Sequence, residues 1–421
     1  MNRVVITGIG VVSPVGIGQE QFWTNLTGGI SGIGPITLFD ASSLPIRIGG
    51  EVKDFNIQSV INEFPCSESL RDRKVLLGLS AAKEALADAY IDETSLDQAL
   101  LYTGIGLEMF CLEDLTPYAN SPDVGQAITR TLLRDMAEAT LQSPLDVTSN
   151  ILGDRYGFSA GKYINCSACA AGAQVIGEVW NMLRHGQAKV ALAGATDSML
   201  NPLGLGGFSL LRILCDENDQ PQRACRPFDI SRKGTVLGEG SAFIVMETLK
   251  NASERKAGIY AEVIGYGSSM DAFRVSDPDN TGRGAVQSMS KALDVAGIKP
   301  DDIDCVNAHG TGTIKNDIVE TAAIKEVLRK HAYNIPVHSV KSMTGHMIAA
   351  SGAVEAVAAA LTISKEQIPP TINLTKADDQ CDLDYVPNNS RNFTGDIVLS
   401  NSFGFGGQNA TLIFKRYTNG F

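Results

Sequence analysis

Residues 164–174 read Ile164-Asn165-Cys166-Ser167-Ala168-Cys169-Ala170-Ala171-Gly172-Ala173-Gln174, and Val175, Val179, Met182 and Leu183 then follow at helical spacing. A strand or turn therefore gives way to a helix at Cys169. Unpaired N–H groups at a helix start carry partial positive charge, which lowers a thiol pKa and can hold a developing oxyanion. Iodoacetamide is then expected to alkylate Cys169 quickly near neutrality. A helix end supplies ~0.3 to 1 kcal/mol, whereas moving a thiol from about 8.5 to about 7 takes ~2 kcal/mol, so a further partner is needed. Ala168, Ala170, Ala171 and Gly172 leave room for a substrate against the backbone. On this stretch alone, two buried small hydrophobes account for the cysteines equally well. A redox pair or half a zinc site would also use Cys-x-x-Cys, but zinc needs two more ligands and no second such pair exists.

Working outward, short β-branched runs alternate with amphipathic stretches: Arg3 to Ile6, Leu77 to Ala89, Val190 to Gly194 and Ile259 to Gly265. That alternation predicts an α/β protein with mostly buried strands. Strand-like runs also close each half of the chain, Ser241 to Met246 in one and Ile397 to Ser400 with Ala410 to Phe414 in the other. Two similar halves follow, residues 1–257 and 258–421, meeting where polar and charged residues cluster between Ala252 and Gly258. Leu107 to Pro144 is the least regular stretch and reads as a loop-rich excursion. Gly8-Ile9-Gly10-Val11-Val12-Ser13 follows a strand but fails as a dinucleotide loop. Ser13 stands at its sixth position, Pro14 follows, and no acidic residue comes about 20 residues later at a strand end. It reads as a tight structural turn.

The chain has 421 residues, 44% apolar and 19% charged, and its 35 Lys+Arg against 47 Asp+Glu give a formal charge of -12. That balance argues against nucleic acid as a partner. No run approaches the 18 apolar residues of a membrane helix, and Val4, Val5 and Ile6 are too few for a signal core, so a cytoplasmic protein away from membranes is expected. The 42 glycines, about a tenth of the chain against the usual ~7%, suit tight turns, a large buried fraction and an oligomer. The eight scattered cysteines are expected to be free thiols, with no metal site.

Partners for Cys169 come from the second half. His309 lies in Val306-Asn307-Ala308-His309-Gly310-Thr311-Gly312-Thr313, after a short apolar strand and inside a Gly/Thr turn. His346 repeats the arrangement in Ser339-Val340-Lys341-Ser342-Met343-Thr344-Gly345-His346, with a small-residue helix from Ala349 to Leu361 behind it. Side chains at strand ends are held on rigid scaffold. Two of five histidines thus occupy matching places, while His185, His331 and His338 read as surface or capping residues. Either histidine alone is more simply a satisfied structural residue; together with a helix-start cysteine they suggest an active site. Asn401-Ser402-Phe403-Gly404-Phe405-Gly406-Gly407-Gln408-Asn409 offers backbone close approach and two aromatic rings as a gate, or a plain turn between strands.

Read together, VVITGIGVVSPVG, SACAAG, RPFD with LGEGS, NAHGTGT, KSMTGH, PPTINL, CDLDYVP and NSFGFGGQN, in that order, resemble the elongating beta-ketoacyl-acyl carrier protein synthases and the related type II polyketide ketosynthases. The resemblance implies a thiolase fold: two βαβαβαββ halves in a five-layer α-β-α-β-α sandwich, working as a dimer. It implies that Cys169 accepts an acyl chain from a carrier-protein phosphopantetheine thioester, and that His309 and His346 face malonyl on a second carrier for decarboxylative Claisen condensation. Lys341 and Glu355 would support the histidines, Thr311 and Thr313 would bind the pantetheine arm, and the backbone N–H groups of Cys169 and Phe405 would hold an oxyanion. Phe405 would gate the site, with Phe403 and Gly406 of the same loop against the substrate. Neither metal nor organic cofactor is implied.

Carrier proteins of such systems are acidic, so docking on this acidic chain would need a local basic patch, and Arg71, Arg73, Lys74 and Arg212 match it. The run from His309 to Asp317 with Glu320 looks more like polyketide ketosynthases, which could pair with a chain length factor rather than with a second copy. The resemblance thus points to the ketosynthase of a type II polyketide or specialised fatty-acid pathway; the alternatives are a housekeeping fatty-acid elongation synthase and a non-catalytic partner subunit of the chain-length-factor type. A biosynthetic thiolase would need a second catalytic cysteine late in the chain, and Cys381 lies in a CDLDY stretch unlike theirs.

Overall fold

A computed structural model describes residues 1–68, 70–107, 123 and 144–418. The excursion expected between Leu107 and Pro144 lies almost wholly outside them. The first half contributes β1 (Val4–Ser13), α1 (Arg73–Asp88), β2 (Leu100–Ile105), α2 (Val147–Tyr156), β3 (Gly161–Asn165), α3 (Ala171–Arg184), β4 (Val190–Ser198) and β5 (Glu239–Thr248). The second contributes β6 (Ala261–Met270), α4 (Arg283–Ala296), β7 (Cys305–Asn307), α5 (Ile314–Leu328), β8 (Val337–His338), α6 (Ser351–Lys365), β9 (Ile397–Gly404) and β10 (Gln408–Lys415). The strands lie in the order β3-β2-β4-β5-β1 in the first half and β8-β7-β9-β10-β6 in the second. Adding five to each strand of the first order gives the second, so one plan is used twice. The halves join where β1 and β6 run antiparallel, Val4 opposite Val263 and Ile6 opposite Ala261.

All ten residues of β1, VVITGIGVVS, are buried, which is why its apolar positions do not alternate with polar ones: helices cover both faces. Gly8 and Gly10 lie within this strand, not in a turn as their spacing suggests. A Cβ on Gly10 would stand 1.9 Å from the Ala81 carbonyl oxygen, so the glycine pair lets α1 approach the strand. Outer helix α1 packs on β1, β5 and β4, and outer helix α4 on β6 and β10. Between the strand layers of the two halves, α3 and α6 pack on each other and on strands of both halves. The result is the five-layer sandwich that the resemblance implies.

Residues 348–365, which include α6, do match a membrane span in length and composition, against the sequence reading. The stretch is buried because it is the middle layer, so its apolar surface faces protein on every side. His338 also departs from expectation. It is fully buried in β8, and neither ring nitrogen has a hydrogen-bond partner among the described residues. His185 and His331 do cap backbone, with ring nitrogens 2.8 Å from the Asn181 oxygen and 2.7 Å from the Ile303 oxygen.

Candidate active site

Cys169 occupies a single 3-10 turn, Ala168–Ala170, between β3 and α3. Ala168 adopts φ 49°, a left-handed conformation that costs a non-glycine residue of order 1–2 kcal/mol. Gly404, at the end of β9, comes close behind this turn; a Cβ there would be 3.1 Å from the Cys169 and Ala170 nitrogens. That approach brings the Phe405 backbone N–H to the sulfur, where it and the Cys169 N–H favour negative charge. Cys169 is nevertheless only 4% exposed, and burial pushes its thiol up to about 12, outweighing these N–H groups and Lys341. The expected low thiol pKa is thereby reversed: the helix start supplies its dipole, but desolvation is larger.

His346 is reached from β8 through a short helix, Lys341–Thr344. Its backbone is clamped by the stretch 236–238 of the other half: its N–H donates to the Val236 oxygen at 2.7 Å, and its oxygen accepts from Gly238 at 2.9 Å. This clamp puts Nε2 3.1 Å from the Cys169 sulfur. Nδ1 lies 3.0 Å from the Ser351 hydroxyl. His309 follows β7, and Glu320 of α5 accepts the N–H groups of His309 and Gly310 at 2.8 Å each. The two imidazoles meet edge to face, centroids 5.3 Å apart at 84°. Burial, with Lys341 nearby, holds both well below the usual histidine range, so both rings are neutral near pH 7.

Lys341 ties His309 to Glu355. Its ammonium contacts Glu355 of α6, donates to the His309 oxygen at 2.7 Å, and lies 3.2 Å from His309 Nδ1. Both partners of the ion pair are 1% exposed, and burial raises the Glu355 carboxyl to about 7 against the pull of Lys341.

A cavity of about 340 Å³ opens on these groups, lined by Cys169, His309, His346, Thr311, Thr313, Phe403 and Phe405 among others. The Thr311 and Thr313 hydroxyls are 2.9 Å apart. Phe405 stacks on Phe208 at 6.2 Å, and Phe403 lies 5.9 Å from the His309 ring. Gly406, expected against the substrate, is exposed instead and its N–H is taken by the Val275 oxygen at 2.7 Å; within this loop it is Gly404 that lines the cavity.

The expected docking cluster divides. Arg212 is exposed at the cavity mouth, joined by Lys233 and Lys315, which sequence reasoning missed although Lys315 lies inside the run that drew attention to His309. Arg71 is exposed. Arg73 instead binds Glu239 at 2.8 Å, and Lys74 is 1% exposed and paired with Asp72. Arg73 is drawn to the buried Glu239 carboxylate, and buried Lys74 folds back onto Asp72 at the N-cap of α1, so Lys74 is in no position to meet a partner. Cys166 is exposed while Cys169 is buried, so the two cysteines of the motif face different surroundings.

The duplicated five-layer fold, with one thiol and two neutral imidazoles converging from opposite halves, defines a thiolase-fold condensing enzyme that transfers acyl groups. The sequence model "Beta-ketoacyl synthase, N-terminal domain" matches residues 1–252, and "Beta-ketoacyl synthase, C-terminal domain" matches 260–375. A 3-oxoacyl-(acyl-carrier-protein) synthase 2 of Synechocystis sp. is 42% identical, covering 99% of this chain and 98% of that one. Another, from Coxiella burnetii, is 40% identical over 99% of both. Among solved structures, a type II PKS acyl-carrier protein in complex with its ketosynthase superposes with a TM-score of 0.84 at 30% identity, covering 99% of this chain and 100% of that one. The chain belongs to the beta-ketoacyl synthase family.

Proposed function

We propose that this protein elongates fatty-acyl chains by condensing a Cys169-bound acyl group with malonyl carried on acyl carrier protein. The observation that carries the reading is the convergence of His346 Nε2 on the Cys169 sulfur beside a second neutral imidazole, inside one cavity. In the first step the Cys169 sulfur attacks the acyl thioester, and the thiol proton ends on the departing pantetheine sulfur. The Cys169 and Phe405 N–H groups face the oxyanion that forms. In the second, malonyl loses its carboxylate as CO2, and the resulting enolate attacks the Cys169 thioester. A C–C bond forms, the C–S bond breaks, and the thiolate takes up a proton. Two imidazole N–H donors fixed where the enolate charge develops lower the barrier more than they stabilise the ground state. Every step runs on the chain's own groups and the carrier's phosphopantetheine.

Identity favours fatty-acid over polyketide elongation: 42% and 40% to 3-oxoacyl-(acyl-carrier-protein) synthases 2, against 30% to the type II ketosynthase. These identities support the housekeeping fatty-acid alternative over the type II polyketide or specialised pathway to which the motifs point. An acidic carrier would meet Arg212, Lys233 and Lys315 at the mouth. Incubation with acyl carrier protein thioesters followed by intact-mass analysis is expected to show one acyl adduct, absent in Cys169→Ala, and a two-carbon-longer product once malonyl carrier is added. An adduct that persists in Cys169→Ala sinks the assignment. Preference for short poly-beta-keto chains over saturated ones would restore the polyketide reading.

A further inference from the structure

Ser351 opens α6 and is 1% exposed. Its oxygen lies 3.0 Å from the Met347 backbone nitrogen and 3.0 Å from His346 Nδ1, and the hydroxyl makes no other hydrogen bond among the described residues. The Met347 N–H can only donate, so it takes one lone pair of the oxygen. The hydroxyl hydrogen then has a single acceptor within reach, Nδ1. A buried hydroxyl hydrogen left unpaired would cost about 1–3 kcal/mol.

We infer that Ser351 is a positioning residue whose hydroxyl donates to Nδ1 of His346 and so fixes the tautomer that carries its hydrogen on Nε2, facing Cys169. His309 reaches the same tautomer by another device. The Lys341 ammonium beside its Nδ1 has hydrogens to give and no lone pair to receive one. Both rings are therefore N–H donors at Nε2. In the opposite tautomer His346 would present a lone pair to the sulfur and act as its base, and the Ser351 hydrogen would have no partner. Ser351 thus selects the donor role that enolate stabilisation requires. The kinetic consequence rests on the condensation reading; the tautomer itself does not.

With only five histidines, ring nitrogens can be followed by NMR on the intact protein labelled with 15N-histidine, His346 being assigned by loss of its signals in His346→Gln. The expected spectrum has an unprotonated Nδ1 and a protonated Nε2 on His346. In Ser351→Ala these signals should move toward a mixture of tautomers, and kcat for malonyl decarboxylation should fall about tenfold with KM within twofold, as for groups that orient a working imidazole. Ser351→Thr, which keeps the hydroxyl, should restore both. A wild-type His346 protonated on Nδ1, or a Ser351→Ala protein with the tautomer unchanged, would overturn the inference. Wild-type protein that fails to condense would remove the function while the ring signals still decide the role of Ser351.

Discussion

Gly172 and Gly352 pack reciprocally across the two halves: a Cβ on Gly172 would stand 2.5 Å from the Ala353 nitrogen, and one on Gly352 would stand 2.6 Å from the Ala173 nitrogen. The turns ahead of them match as well. Ala168 at φ 49° precedes Cys169, and Ile348 at φ 46° precedes Ala349. Cys169 and Ala349 are thus equivalent positions of a duplicated turn, of which only one carries sulfur. The glycine contact presses the starts of α3 and α6 together, and that contact places the thiol beside His346.

Gly172→Ala and Gly352→Ala each force a methyl against backbone that has no rotamer to yield. Each should cost about 1–3 kcal/mol in urea unfolding, the usual range for overpacking a core. Acyl-adduct formation on Cys169 should fall further than stability alone explains, because the two turns are displaced relative to each other. Unchanged unfolding midpoints would show that the middle layer has slack.

Burial pushes the Cys169 thiol up to about 12, so its alkylation by iodoacetamide should be slow at pH 7 and rise about tenfold per pH unit through pH 10. Peptide mass spectrometry after timed quenching separates it from exposed Cys166. A rate already level at pH 7 would mean that the N–H groups of Cys169 and Phe405 outweigh desolvation.

Buried His338 has no hydrogen-bond partner among the described residues, and burial lowers its pKa to about 3. The native ring stays neutral as pH falls below 6.5, while the unfolded chain takes up the proton. Its contribution to stability is therefore lost toward acid, by about 1.4 kcal/mol per pH unit between 6.5 and 3. His338→Leu should flatten the acid limb of stability by that slope relative to wild type, measured by denaturant titration across pH. Parallel pH profiles for the two proteins would show that His338 titrates normally when folded.

Lys233 pairs with Glu217 and Lys315 with Asp277, each at 2.8 Å, whereas Arg212 makes no ion pair among the described residues. Reversing its charge in Arg212→Glu should raise KM for carrier-bound substrate several-fold, more at low salt than at high, and leave small pantetheine thioesters unaffected. Equal loss on both substrate types would place Arg212 inside the pantetheine channel rather than at a docking surface.

Much of this was legible in the residues. Periodicity marked β1, α1 and β4, because a strand covered on both faces and a helix covered on one leave different spacings. Cys169, His309 and His346 each stood at a strand end beside glycine or small residues, the local pattern of a held side chain. Exposure was not legible. Arg71, Arg73 and Lys74 look alike in sequence, yet Lys74 is buried and Arg73 is bound to Glu239, 166 residues away.

From local spacing and residue type the sequence by itself determined the α/β alternation and marked Cys169, His309 and His346 as candidates, while the βαβαβαββ plan of each half followed from the family resemblance. Only the tertiary structure decided the rest: that Gly172 and Gly352 interlock, that desolvation raises the Cys169 thiol, and that Ser351 reaches His346 Nδ1. The first depends on a contact between segments roughly 180 residues apart and the second on how much water the packed layers exclude, while the third, between residues close in sequence, depends on the turn and ring orientation that packing sets.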